Sequence, residues 1–169
     1  HFEGNLLACA QEIDKLAMSY ASGAVKVEDI EQDIAGAARF TIFVLADACL
    51  DGRPQAIPRI LNSLRAEGTE PVLVLWALVR EIRTLAQIAS SVTGGLPLAQ
   101  ALDSHKVWTK RKPLVSRALN RGRPGEWRAW LARAARVDRV IKGRASGDAW
   151  RELECLALGF GGLRLPTCR

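Results

Sequence analysis

Apolar side chains recur every three or four positions along most of this chain, which is the spacing of one face of an α-helix. The stretch ARFTIFVLADACLDG at 38–52 predicts a helix whose buried face is formed by Ile42, Leu45, Ala46, Cys49 and Leu50. Gly52 suits the left-handed backbone that often ends a helix. The next apolar stripe predicts a helix over about 54–67, with Ile57, Ile60, Leu61 and Leu64 on its buried face. Because Pro58 lies inside this pattern, the helix either starts late or is kinked at the proline.

The longest predicted helix covers about 71–91 and begins with VLVLWALV at 72–79, which is apolar on every side. This run alone would fit a buried strand, but the helical spacing continues through Leu78, Ile82, Leu85 and Ile88. A helix that is apolar all round is expected to be buried on all sides, so we predict that this is the central helix. Residues 92–95 are predicted to form a loop.

Further helices are predicted near 97–102, over 126–142 and within SGDAWRELECLAL at 146–158, and Pro113 divides the region between the first two. The chain is expected to fray from about residue 159. Before residue 37, the spacing of Leu6, Ala10, Ile13 and Ala17 predicts one helix, and a short acidic helix follows. Gly36 is the expected boundary between residues 1–36 and 37–169. No convincing strand pattern occurs, so the sequence predicts an all-α protein.

The net charge of +6 over 169 residues is unevenly distributed. Residues 1–36 carry two basic and seven acidic side chains, residues 37–103 carry six of each, and residues 104–169 carry sixteen basic and five acidic. A basic end of this kind indicates an acidic partner, and the alternative is a solvated arginine-rich surface. The longest apolar run is far shorter than the roughly 20 residues that span a bilayer, so no membrane partner is expected.

The motifs that carry catalysis or cofactor binding do not occur with the required spacing. No glycine begins a GxxxxGK[ST] loop, and GFGG at 159–162 lacks the GxGxxG spacing. His105 is the one internal histidine, so the sequence offers few bases that could activate a Ser or Cys nucleophile. The cysteines at 9, 49, 155 and 168 lack CxxC spacing, which argues against a zinc site; read as unpaired, they indicate a reducing, cytoplasmic environment. We expect no catalytic residue, metal or cofactor.

The basic segment KVWTKRK at 106–112 predicts contact with nucleic acid. Basic side chains neutralise phosphates, and an exposed Trp can stack on a single-stranded base, so such contact would be insensitive to base sequence. The candidate residues are Lys106, Trp108, Lys110, Arg111, Lys112 and Arg117. The alternative is that Trp108 belongs to the core and that the basic residues form a solvated surface.

Five blocks of the sequence resemble one family in order and spacing. They are EGNLLACAQEIDKLA, ARFTIFVLADACLDG, RILNSLRAEGTEPVLVLWALVREIRTLA, KVWTKRKPLVSRALNR and DRVIKG. The chain resembles the C-terminal part of the delta subunits of bacterial DNA polymerase III, which open the sliding clamp within the clamp loader. The resemblance covers about residues 2–158 and is most specific from Arg65 to Leu85, while Lys26 and Pro58 depart from the family pattern.

The resemblance implies a scaffold within a complex that resembles the DNA-directed DNA polymerase holoenzyme. Residues 1–36 would be the end of a helical, AAA+-like lid domain. Residues 37–169 would be a helical-bundle collar that joins subunits of the gamma/tau and delta-prime types. The family's clamp-binding contact belongs to an N-terminal domain that this sequence does not include, so no residue here is assigned to the clamp.

Assembly through a collar requires surfaces for the neighbouring subunits. The candidate interface residues lie on the last two predicted helices and are Trp127, Trp130, Arg133, Trp150 and Glu154. The alternative for these tryptophans is burial in the core. A competing hypothesis for the whole chain is an independent basic helical module that binds single-stranded nucleic acid without sequence specificity.

Overall fold

The computed structural model describes residues 42–163 and four earlier positions, Ala10, Ile13, Asp14 and Ala17, which are helical and exposed. The rest of the two helices predicted before residue 37 lies outside the described residues, as does Lys26. Contacts within the chain divide it into two units, residues 1–39 and 40–169. The boundary that the sequence predicts at Gly36 lies close to this division.

Seven α-helices and one short 3-10 helix make up the described part of the second unit, residues 42–163, which contains no strand. The helices are α1 (Ile42–Asp51), α2 (Ile57–Ala66), α3 (Pro71–Thr93), α4 (Leu98–Ser104), α5 (Lys112–Arg121), α6 (Pro124–Ile141) and α7 (Ala149–Phe160). The 3-10 helix covers Thr109–Arg111. The prediction of an all-α fold is confirmed.

The first two helices bury the faces that the apolar spacing predicts. The buried residues of α1 are Leu45, Ala46, Ala48, Cys49 and Leu50, and those of α2 are Ile57, Ile60, Leu61 and Leu64. Gly52 follows α1 with a φ of 71°, a conformation that glycine adopts without Cβ strain. Pro58 lies in the first turn of α2, where its missing N–H removes no helical hydrogen bond, so this helix starts late rather than kinking.

The central helix of the bundle is α3, which packs against α1, α4, α5, α6 and α7. Its inner side chains include Val74, Leu78, Ile82, Leu85 and Ile88, all buried. The prediction that its first half is buried all round is wrong, because Val72, Leu73 and Trp76 are exposed, Trp76 at 54%. The predicted loop at 92–95 is also shorter than expected, since α3 continues to Thr93.

The last two helices close the core against α3. The buried residues of α6 are Trp127, Ala134, Val137 and Val140, and those of α7 are Leu153, Leu156, Ala157 and Phe160. The rings of Trp127 and Phe160 meet edge to face, with centroids 6.3 Å apart and planes at 87°. The prediction that the chain frays from residue 159 is therefore wrong for Phe160 and Gly161, which are both buried.

Two cysteines of the second unit differ in state. Cys49 is a buried free thiol, whereas Cys155 is disulfide-bonded. The expectation that all four cysteines are unpaired is therefore wrong at Cys155. Cys155 therefore does not support the inference of a reducing compartment, which assumed unpaired cysteines.

Candidate interface and nucleic-acid surfaces

The basic segment forms a tight turn between α4 and α5 that displays Trp108. Lys106 takes a φ of 54°, which reverses the chain just before Trp108. The Trp108 carbonyl then accepts hydrogen bonds from the N–H groups of Arg111 and Lys112 at 2.8 and 3.1 Å, which closes the short 3-10 helix. The Trp108 side chain is 63% exposed, so the alternative that it belongs to the core is wrong.

Arg111 ties this turn to the body of the bundle. Its Nη1 donates to Oε1 of Glu81 at 3.2 Å, and its Nη2 donates to Oδ1 of Asp47 at 2.7 Å. Glu81 lies on α3, is only 4% exposed, and also accepts a hydrogen bond from Arg80 at 2.9 Å. Burial lowers the pKa of Arg111, but the two carboxylates outweigh burial and raise the pKa overall. The guanidinium therefore stays charged and joins α1, α3 and the turn.

The remaining basic candidates are divided between paired and exposed side chains. Lys112 pairs with Asp103 at 2.5 Å, and Arg117 pairs with Asp51 at 2.7 Å. These two residues, like Arg111, hold carboxylates of the same chain. The candidates that the turn presents together on the surface are Lys106, Trp108 and Lys110.

The tryptophans predicted as interface residues on α6 pack into the bundle against glycines. Trp127 is 2% exposed and lies against Gly122, where an added Cβ would collide with the indole ring. Trp130 lies in the same way against Gly159 of α7. Trp127 thus has almost no surface left for a partner, and Trp130 is partly covered by α7.

The other three predicted interface residues keep part of their surface. The side chain of Arg133 is 18% exposed, and its Nη2 lies 3.8 Å from Oε2 of Glu152. Trp150 and Glu154 line a cavity between α2 and the start of α7. The other lining residues are Leu61, Asn62, Arg65, Asp148 and Arg151. The structure thus brings Trp150 and Glu154 together and leaves Trp127 apart from them.

Sequence reasoning missed a third surface, on α1 and the first half of α3. We call it the aromatic patch and define it by Phe43, Val44, Val72, Leu73, Trp76 and Arg80. The Arg80 guanidinium lies 5.3 Å from the centroid of the Phe43 ring and 5.1 Å from that of the Trp76 ring, within cation–π range. The run VLVLWALV is the signal in the sequence, but a run that is apolar all round does not show which side lacks a neighbour.

The buried thiol and the internal histidine both serve packing contacts. The Sγ of Cys49 donates to the carbonyl of Ala157 at 3.5 Å, and burial raises the pKa of this thiol while the Arg121 charge opposes the shift. A thiol that stays neutral is a poor nucleophile. The Ser91 hydroxyl donates to the Gln87 carbonyl at 3.2 Å, and its oxygen also lies 3.1 Å from Nε2 of His105.

Arg121 joins the C-terminal ends of two helices. Its guanidinium donates to the carbonyls of Cys49 at 2.9 Å and Leu50 at 3.3 Å in α1, and to that of Phe160 at 3.4 Å in α7. Burial lowers the pKa of this guanidinium, although the nearby Asp51 carboxylate opposes the shift. Carbonyls at helix ends lack intrahelical partners, so Arg121 satisfies acceptors that water would otherwise have to reach.

Among the residues that the structure describes, no group of three or more His, Cys, Asp or Glu side chains is placed to hold a metal ion. None of the described helices combines the length and the apolar character that crossing a bilayer requires.

Comparison with known proteins defines the class of this helical bundle. A family model described as "Processivity clamp loader gamma complex DNA pol III C-term" matches residues 42–167, and the chain belongs to this family. The matched segment begins with α1 and extends past α7, so it contains the whole helical bundle that the structure describes.

Individual relatives narrow this class to delta subunits. The chain is 35% identical over 157 residues to DNA polymerase III subunit delta of Escherichia coli strain K12, covering 93% of this chain and 46% of the relative. Identity to the same subunit of Haemophilus influenzae is 29% over 165 residues, covering 93% and 48%. The chain thus spans about half the length of these curated relatives. The resemblance to the C-terminal part of delta subunits that the sequence predicts is confirmed.

A solved structure supports the fold. The DNA clamp loader delta protein of Bacillus subtilis matches with a TM-score of 0.63 at 21% identity, covering 94% of this chain and 47% of that protein. At this level of identity the match shows the fold alone.

Proposed function

We propose that this chain is a non-catalytic, structural part of a DNA polymerase III clamp loader, the assembly that places the sliding clamp on primed DNA. The observation that carries the proposal is the family match over residues 42–167, the segment that folds as the bundle around α3. In this proposal residues 37–169 form a collar that joins neighbouring subunits, and residues 1–36 form the end of a lid domain. The partners are loader subunits of the gamma/tau and delta-prime types, in the cytoplasm.

The contacts of the reactive side chains support a scaffold. The buried Glu81 is held by two arginines, the Cys49 thiol stays neutral, and the Ser91 hydroxyl donates to a main-chain carbonyl. Glu81 holds the turn at 106–111 to α3, Cys49 holds α1 to α7, and the Ser91 bond lies within α3. Of the predicted interface residues, Trp130, Arg133, Trp150 and Glu154 are each partly exposed and can contribute to a subunit contact, whereas Trp127 is buried.

Size-exclusion chromatography of the full chain with the other purified loader subunits tests this proposal. We expect co-elution in one complex, because collar domains that assemble a ring must present complementary helix faces. The E. coli delta subunit with its own partners is the positive control. A chain that elutes alone, under conditions in which the control co-elutes, would contradict assembly through this bundle.

A second function, contact with single-stranded DNA, is favoured by the 63% exposure of Trp108 next to the exposed Lys106 and Lys110. Stacking of a base on an aromatic ring contributes about 1–3 kcal/mol and is tolerant of sequence. Each lysine that neutralises a phosphate adds to the salt dependence of binding. This contact is compatible with a role in the loader, and the family match does not favour the alternative of an independent module.

Fluorescence anisotropy with a labelled oligonucleotide at low salt tests the DNA contact. We expect Trp108→Ala to weaken binding about fivefold or more, and Lys106→Ala to lower the slope of log affinity against log salt by about one. Trp76→Ala is the matched control, since Trp76 is similarly exposed but lies in the aromatic patch. Equal losses in Trp108→Ala and Trp76→Ala, or no binding by the unmodified chain, would reject a contact at Trp108.

A further inference from the structure

We propose that the aromatic patch is the docking surface for an acidic amphipathic helix of a neighbouring clamp-loader subunit. This inference rests on the proposed function and names a surface and a partner chemistry for it. The five apolar members of the patch are each 41–54% exposed, although they lie on two helices that pack against each other. Arg80 contacts both the Phe43 and Trp76 rings, so the contributions of α1 and α3 form one continuous surface.

The composition of the patch fits a protein partner better than a nucleic acid or a lipid. Single exposed apolar side chains are common, but a contiguous cluster of this size marks an interaction site. The cores of protein interfaces are enriched in Trp, Phe and Arg and depleted in Lys, Glu and Asp, which is the composition of this patch. The patch contains a single cation, Arg80, whereas surfaces that bind phosphates gather several Lys and Arg side chains.

The charge along α3 indicates an acidic partner. Residues three or four apart share a helix face, so the apolar face formed by Val72 and Trp76 continues along the helix to Arg80 and the exposed Arg83. Arg80 engages Glu81 through Nε and Nη2, whereas its Nη1 has no acceptor among the described residues. A carboxylate on the partner would find donors at this end of the patch.

The length of this face fits a helix of a few turns. From Val72 to Arg83 the face runs about 16 Å along α3, at 1.5 Å per residue. A matching partner helix would place apolar residues over Trp76. It would place carboxylates about two turns further along, next to Arg83. Laying an apolar helix face on such a surface is a common mode of peptide recognition.

Affinity measurements on the assembled loader test this surface. The full chain carrying Leu73→Ser and Trp76→Ser is titrated with the other loader subunits, and we expect affinity at least tenfold weaker because truncating a central aromatic anchor removes a binding hot spot. Val92→Ser is the matched control, since Val92 is on the same helix and 39% exposed but outside the patch. Arg83→Glu should also weaken binding, by a factor that shrinks as salt is raised.

The outcomes separate this inference from the function on which it rests. If the unmodified chain does not bind the loader subunits, both are overturned. If it binds and the double variant and Arg83→Glu bind equally well, the docking surface alone is overturned. Loss of self-association, or of DNA affinity, with loader affinity unchanged would assign the patch to a second copy or to nucleic acid and would also overturn it. If the double variant fails to fold, Arg83→Glu with Arg83→Ala decides the question.

Discussion

Single glycines determine where two of the tryptophans lie. Trp127 rests on Gly122 and Trp130 on Gly159, and at either glycine a Cβ would overlap the indole ring. The absence of a side chain lets the backbone approach the ring closely. The spacing of residues along α6 could not reveal this, because Gly159 belongs to α7 and meets Trp130 only after the bundle has formed. The sequence therefore predicted the tryptophans as important but not how deeply each is buried.

Gly159→Ala is expected to lower the free energy of unfolding by about 1–3 kcal/mol, because the added methyl group overpacks the contact with Trp130. Helix propensity alone would favour alanine by about 1 kcal/mol, so destabilisation identifies the close contact as the dominant effect. Urea denaturation provides the measurement. Gly125→Ala in α6 is the control, since its Cβ would have no atom within 4 Å. Equal stabilities of the two variants would show that Trp130 does not press on Gly159.

At the scale of helices, apolar spacing predicts the inner face well but says little about the outer face. The stripe of α2 is correct because its opposite face carries polar residues, which fixes the inward direction. The stripe of α1 is also correct, although its outer side includes the exposed apolar residues Phe43 and Val44. For α3 the run VLVLWALV has no polar side, and the direction that stays exposed depends on where the other helices pack. The contacts of Arg111 with two carboxylates could not be predicted from the spacing either, because Glu81, Asp47 and Arg111 come from distant parts of the sequence.

Glu81→Ala is expected to lower the free energy of unfolding by about 1–3 kcal/mol, because it removes the buried acceptor that Arg111 and Arg80 share. Amide hydrogen exchange should also become faster in the turn at 106–111, which Arg111 ties to α3. Asp138→Ala removes an exposed carboxylate that pairs with Lys142 at 2.8 Å and should cost about 0.5 kcal/mol or less. If the two variants give the same result in both measurements, the contact between Glu81 and Arg111 does not stabilise the turn.

At the scale of the whole molecule, one core receives buried side chains from all seven helices of residues 42–163. The ordered blocks of sequence were enough to predict the family and the all-α class, because both follow from patterns that extend over most of the chain. The surfaces were harder to predict. Three of the six nucleic-acid candidates hold internal carboxylates, and which of the basic residues stay exposed is decided by the packing of α1, α4 and α5.

Trp127→Ala is expected to lower the free energy of unfolding by about 3–5 kcal/mol, since it leaves a cavity between α6, Phe160 and the rest of the core. Trp108→Ala should change it by about 0.5 kcal/mol or less, because that side chain is mostly in solvent. Denaturant titrations, monitored by circular dichroism, measure the free energy of unfolding of both variants. A large loss of stability in Trp108→Ala would mean that the exposed turn supports the core.

The hydrogen bonds of Arg121 can form only in a fixed order during translation. This residue follows Cys49 by 72 positions and precedes Phe160 by 39. As the ribosome releases the chain, the Cys49 and Leu50 carbonyls at the end of α1 emerge before Arg121, which donates to them. The third acceptor exists only when the last helix has been translated, so the nascent bundle can complete this junction only at the end of its production.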